Sequence, residues 1–395
     1  MLVERKIGRL HGGDKDKSDR MRVVSLFSGI GGFELGLARA GFRTVMMCES
    51  DPLARAVLRH HFPDVPIRTD IRTLKRLPAC EILTAGWPCQ DLSQAGRTAG
   101  IAGDRSGLIS EVFRLVQATK TKPEFILLEN VAFALHLQKG AALRFVTSQL
   151  EMLGYKWAYR ILDSQHFGVP QRRRRLFILA SRQLAPETIL FRGALNISPE
   201  AHSHPQQYGF YWTEGNRGLG WSPEAVPPLK GGSSLSIPSP PAIWNKDARS
   251  FVTPGVSDAE RMQGFPEDWT DVGALRNVKK RARWKLVGNA VSVPVVEWIA
   301  KSLAEEVSSP LEMVPAKRGS KISTAAFGQA DHQAIFLNPD HEGPEVSQIA
   351  TLRDFELKDA SKLSLRAATG FLSRIEKSSL RTDPAFISDL RAFVG

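Results

Sequence analysis

"RVVSLFSGIGGFELGLARAGF", residues 22–42, is the stretch that decides the fold. It opens on an apolar, β-branched run, "RVVSLFS" (22–28), which reads as a buried strand. It closes on "GGFELGLARAGF" (31–42), a helical pattern ended by Gly41. Between them lies "FSGIGG" (27–32), whose glycines permit a tight turn and let a ligand approach backbone N–H groups at a helix start. Strand, glycine turn and helix open a βα unit, although nucleotide sites and plain tight turns share such a turn.

The alternation continues downstream. "TVMMCE" (44–49), "CEILTAG" (80–86), "FILLEN" (125–130), "WAYRI" (157–161) and "RLFILA" (175–180) read as further strands. "DPLARAVLRHH" is a helix with Asp51 as N-cap and Pro52 at its first position. "GLISEVFRLVQAT" places Leu108, Val112, Leu115 and Val116 on one helical face, and "GAALRFVTSQLEMLG" (140–154) is another helix. Repeated βα units predict an α/β fold with a doubly wound, mostly parallel sheet. After residue 184 the chain is rich in Pro, Gly, Ser, Asn and Trp, which predicts a smaller loop-rich domain. Periodicity returns at Ser257, where "SDAE" has capping-box spacing, and a last helix starts near Pro294.

The chain has 395 residues and a formal net charge of +12. Residues 311–395 balance eleven Lys/Arg against eleven Asp/Glu, so the excess lies upstream, densest in "QRRRR" (171–175) and "KKRARWK" (279–285). That balance suits a polyanion, nucleic acid before an acidic membrane surface. No apolar stretch is long enough for a bilayer, and the charged first twenty residues lack a signal-peptide core. Cys48, Cys80 and Cys89 form neither a disulfide framework nor a CxxC metal pattern, which points to a reducing, intracellular setting and no metal.

The chemically distinctive residues fall at strand ends, where open α/β sheets bind ligands. Glu49 ends the second strand, where an acid can hold ribose hydroxyls, and Asp70 offers a carboxylate for an exocyclic amine. Together with the glycine turn they fit an adenosine-bearing ligand that needs no phosphate. Cys89 follows Pro88 in "GWPCQDLSQAG" (86–96), and Glu129 terminates "FILL". Cys89 reads either as a small buried hydrophobe or as a nucleophile, and Glu129 either as an arginine's partner or as a proton donor.

Taken in order, these residues resemble the DNA (cytosine-5)-methyltransferase family of bacteria and phages. "LFSGIGGFELGL" is similar to the cofactor turn, "GWPCQDLS" to the nucleophile loop and "ENV" (129–131) to the Glu-Asn-Val motif. "FGVPQRRRRLFI" (167–178) matches Gln-x-Arg-x-Arg at Gln171, Arg173 and Arg175, and "ERMQGFP" (260–266) and "VGNAVSVP" (287–294) resemble the last two motifs. The resemblance implies a Rossmann-like fold dependent on S-adenosylmethionine. It implies Cys89 as the nucleophile on C6 of a flipped-out cytosine, Glu129 as proton donor at N3, and Arg175 with Arg173 at the O2 edge. It also implies Phe27, Gly29, Gly31, Glu49, Asp70, Ile71, Pro88, Leu108 and Asn289 as cofactor contacts. Double-stranded DNA is the implied substrate, for a cytoplasmic, monomeric enzyme with a cognate restriction endonuclease as functional counterpart. The matching domains are 21–184 with 285–307 for catalysis and cofactor, and 185–284 for target recognition. Residues 1–20 are then a charged tail, and 308–395 an extension with no assigned role. There "KDASKLSLRAATGFLSRIEKSSL" reads as an amphipathic helix or a poorly ordered tail. Trp212, Trp221 and Trp244 read as DNA-contacting wedges or as core. A tRNA cytosine-5 methyltransferase and a catalytically silent DNA-binding regulator are the alternatives.

Overall fold

The computed structural model describes residues 20–88, 107–192, 204–214, 218–231, 240–276, 278, 280–305, 323–332, 334–337 and 349–395. In chain order the elements are β1 (Arg22–Leu26), α1 (Gly32–Arg39), β2 (Arg43–Cys48), α2 (Pro52–His61), β3 (Ile67–Arg68) and β4 (Ile82–Gly86). Next come α3 (Gly107–Ala118), β5 (Phe125–Val131), α4 (Ala141–Met152), β6 (Lys156–Asp163), β7 (Arg174–Ser181) and α5 (Pro186–Leu190). They are followed by β8 (Gln207–Phe210), β9 (Ser222–Pro223), β10 (Ala242–Asn245), β11 (Ser250–Thr253), α6 (Val256–Met262) and α7 (Lys280–Asn289). The last are α8 (Val293–Ala304), β12 (Ala325–Gly328), β13 (Ile335–Leu337), β14 (Ser361–Lys362), α9 (Leu365–Glu376) and α10 (Pro384–Val394).

The described residues form two compact units. One draws on Met1–Leu162, Arg174–Asn196 and Val295–Glu345, the other on Asp163–Arg173, Ile197–Pro294 and Val346–Gly395. The first unit carries a nine-stranded sheet in the order β13-β12-β6-β7-β5-β4-β1-β2-β3. Pairing is parallel from β3 through β2, β1 and β4 to β5. It is antiparallel at β5/β7, β6/β12 and β12/β13. Neighbouring central residues such as Val23 and Val24, or Ile126 and Leu127, are all fully buried, so both sheet faces are covered, as a doubly wound α/β fold requires. On one face Val112 and Leu115 of α3 and Val146 and Leu150 of α4 share a core with Val24, Leu83, Ile126 and Ile178. Asp51 caps α2 as expected, accepting from Leu53 N–H at 2.8 Å.

In the second unit five short strands pair in the order β14-β11-β10-β8-β9, antiparallel throughout. Helices α9 and α10 complete its core, where Phe371 and Phe386 join Phe210, Trp244 and Phe251. Trp244 is fully buried, and Trp212 and Trp221 pack against the same cluster, so these indoles act as core here.

Of the two readings of the C-terminal extension, the structure has the amphipathic helix, α9, with Ala368, Phe371 and Ile375 buried. Residues 325–337 add two strands to the first unit's sheet, while 361–394 supply an edge strand and two helices to the second unit. The segment 163–173, read as part of the first domain, belongs to the second unit. Such pairings depend on partners far away in sequence, which local periodicity does not encode. Ser257 is likewise not a cap: it lies inside α6, and its N–H donates to Asp359 at 3.2 Å. Among the described residues, no helix is long and apolar enough to cross a membrane.

Candidate active site

The carboxyl ends of β1, β2, β4 and β5 carry the candidate chemistry. After β1 the backbone turns through left-handed conformations at Phe27 (φ 56°), Gly29 (φ 56°) and Gly31 (φ 94°), the last being the residue before α1. A side chain at Gly29 or Gly31 would be strained there; Phe27 carries that strain, a cost of roughly 1–2 kcal/mol. Glu49, just past β2, braces the turn: its carboxylate accepts from Gly29 N–H at 2.7 Å and from Asp51 N–H at 2.8 Å. Asp70 caps the turn at Ile71–Thr73 and pairs with Arg72 at 2.8 Å, which holds its carboxyl below the usual range, through the side-chain hydrogen bond first. Ile71 is buried in the core, and Leu108, at the start of α3, packs half-buried against that core.

Beneath the turn lies an acid that sequence reading passed over. Glu34, on α1, is fully buried, and among the described residues neither carboxyl oxygen has a hydrogen-bond partner of good geometry. Burial pushes its carboxyl above the usual range; the nearby hydroxyls of Ser25 and Ser28 pull it back only in part. The signal was available, since a charged residue stood on the apolar side of a helix opening at a sheet end.

Pro88 is exposed at the end of the described strand-to-loop segment; Cys89 lies outside the described residues. Gly86 pairs in register with Glu129 on β5, and a Cβ built at Gly86 would sit 3.4 Å from the Glu129 Oε2. Glycine at that position therefore leaves room for the carboxylate. Arg175 on β7 closes the arrangement, its Nε 3.2 Å from Glu129 Oε1, with only 15% and 12% of the two side chains exposed. Asn130, part of the "ENV" motif but given no role from sequence, is buried and donates from Nδ2 to the Trp87 carbonyl at 3.2 Å. It ties the end of β5 to the residue before Pro88.

Arg173 and Asn289 fall in the second unit. Arg173 is engaged with backbone carbonyls of that unit. Its buried guanidinium donates to the carbonyls of Leu229 (3.0 Å), Gly288 (3.2 Å) and Ala290 (2.8 Å). Gln171 bonds Met262 and Leu229, and Gln263 bonds Val287, so a buried polar frame holds the "VGNA" segment that contains Asn289. A charge so engaged with backbone carbonyls serves structure, because freeing it would take a donor from all three, leaving Ala290 only its longer bond from Gln263 Nε2 at 3.4 Å.

Residues 21–219 match the family model of the C-5 cytosine-specific DNA methylase. The chain is 43% identical over 380 residues to the Type II methyltransferase M2.BsuMI of Bacillus subtilis (strain 168), covering 94% of this chain and 97% of the relative. This chain belongs to the C-5 cytosine-specific DNA methylases. The methylase is also 28% identical to the Type II methyltransferase M.Bsp6I of Bacillus sp. (strain RFL6), over 72% of its own length and 98% of the relative's. Its fold is similar to that of the S. pombe Dnmt2 methyltransferase, with a TM-score of 0.55 at 21% identity, covering 72% of this chain and 98% of that one.

The methylase is thus a DNA cytosine-5 methyltransferase, and its first unit fits a sulfonium nucleoside. Carboxylates dominate the turn region, with Glu49 bracing it and Asp70 beyond. Acids at such a turn suit hydroxyls, an amine and a cationic sulfur, and would repel a phosphate. Among the described residues, a Cβ added at Gly29 would meet nothing within 4 Å, which leaves the backbone approachable.

Proposed function

We propose that this methylase adds a methyl group to C5 of a flipped-out cytosine within a short, specific duplex DNA sequence, through a covalent Cys89–C6 intermediate. The observation that carries the reading is the Glu129–Arg175 pair, held at the sheet end where the Pro88 loop begins. S-adenosylmethionine, when bound, supplies an electrophilic methyl; Phe27, Gly29, Gly31, Glu49, Asp70, Ile71, Pro88 and Leu108 would hold it. The Cys89 thiolate forms a bond to C6, and the displaced electron pair is received at N3 with a proton from Glu129. Arg175 orients Glu129 and reaches the O2 edge. Once C5 is methylated, it loses its proton, and the S–C6 bond breaks to free Cys89. A stacked base is out of reach of such a site, so the cytosine must leave the helix.

The second unit is then the reader of the duplex. Type II names among the relatives support a restriction-modification role; a cognate endonuclease, a monomeric state and action in the cytoplasm belong to the same proposal. The test incubates the protein with labelled S-adenosylmethionine and either duplex DNA or tRNA. Label is expected in DNA; label only in tRNA, or none, overturns the substrate. A trapped complex on 5-fluorocytosine DNA is expected with the wild type and lost in Cys89→Ala. An adduct that survives in Cys89→Ala would refute the assigned nucleophile.

A further inference from the structure

The basic run at 279–285 has no part in the reaction above, and the second unit gives its described residues a setting. Arg283 is engaged: its Nε donates to Thr270 at 2.9 Å, and its guanidinium faces Glu260 at 3.6 Å, Asp271 at 3.7 Å and Asp268 at 3.9 Å. Lys280 and Arg281, on the first turn of α7, are exposed and have no ion pair among the described residues. Both line a cavity of about 370 Å³ together with Ser257, Asp268 and Asp359. Ser257 is 7% exposed and its Oγ has no hydrogen-bond partner among the described residues, so a buried donor stands in that wall. Asp359 is occupied, accepting from the N–H groups of Ser257 at 3.2 Å and Asp258 at 3.1 Å. Asp268 faces Arg283 at 3.9 Å. Arg283 is shared with Glu260 and Asp271 as well. Among the described residues, the opening thus carries two unpaired cations and a free hydroxyl beside two carboxylates already held by hydrogen bonds or a shared cation.

We infer that Lys280, Arg281 and Ser257 form a phosphodiester-binding subsite for the backbone of the duplex, on the unit proposed to read it. This rests on the DNA substrate reading. Two flexible cations at the mouth neutralise phosphate oxygens, and the Ser257 hydroxyl donates to one of them. Such contacts position the duplex without reading its sequence.

The test measures binding of a fluorescein-labelled duplex across a salt series. Lys280→Ala/Arg281→Ala is expected to weaken binding roughly tenfold near 0.1 M salt and to lower the salt slope by about 2. Ser257→Ala is expected to weaken binding a few-fold without changing the slope, since no charge is lost. Arg59→Ala/Lys120→Ala, an equal charge change at exposed sites of the first unit, is expected to match the wild type. Binding of labelled S-adenosylmethionine checks that each variant is folded. Wild-type affinity and slope in the Lys280/Arg281 variant would overturn the subsite, as would an equal loss in the control pair. Inorganic phosphate that displaces the duplex better than chloride at equal ionic strength would assign the cavity to free phosphate instead. A wild type that binds no duplex refutes the substrate reading itself, a distinct outcome.

Discussion

Replacing Arg173 by alanine separates scaffold from chemistry. The side chain is 2% exposed and makes three charge-assisted bonds to carbonyls at 2.8–3.2 Å. Bonds to a charged group contribute about 1.5–3 kcal/mol each, partly offset because the variant no longer desolvates a guanidinium. A net loss of about 3–5 kcal/mol follows, a large share of the roughly 5–15 kcal/mol that holds a typical domain. At about 2–4 °C per kcal/mol for a unit of this size, the melting temperature should fall by roughly 6–20 °C. Thermal unfolding, read beside methylation by the protein still folded at low temperature, checks this. Arg175→Ala should lose turnover and also some melting temperature, because it leaves the Glu129 carboxylate, only 12% exposed, without its cation. A variant lacking Arg173 that melts like the wild type yet fails to turn over would refute the scaffold argument.

Other expectations concern the two cores. Glu34, raised by burial, keeps in the folded state a proton that the unfolded chain releases above pH of about 4.3. Stability should therefore fall as pH rises from that value through the folded one, and Glu34→Gln should abolish the fall. The variant should gain over the wild type by about 1.4 kcal/mol for each pH unit of that window; a Gln variant less stable at neutral pH sinks the idea. Phe386 stacks edge-on against Phe210, Trp221 and Trp244 at 5.0–5.3 Å between centroids. Phe386→Ala should cost about 3–5 kcal/mol in urea unfolding followed by tryptophan fluorescence. An unchanged midpoint would mean that the C-terminal helices are dispensable to the second unit.

The sequence by itself determines the order of βα units, the glycine turn, the Asp51 cap and the motif series, because each is written within a few neighbouring residues. Glycine at 29 and 31, an acid ending β2 and another near the end of β5 are therefore legible before any coordinate is known. Only the tertiary structure decides where Arg173 points, since its acceptors lie 56, 115 and 117 residues away. The same holds for Asp359, which accepts from an α6 N–H 101 residues distant, and for the C-terminal helices that finish the second core. In Gln-x-Arg-x-Arg the spacing puts three side chains on one face of an extended segment; it does not say which acceptor each meets. A hydrogen bond is directional and short, so its partner is chosen by how distant segments pack, which periodicity does not carry.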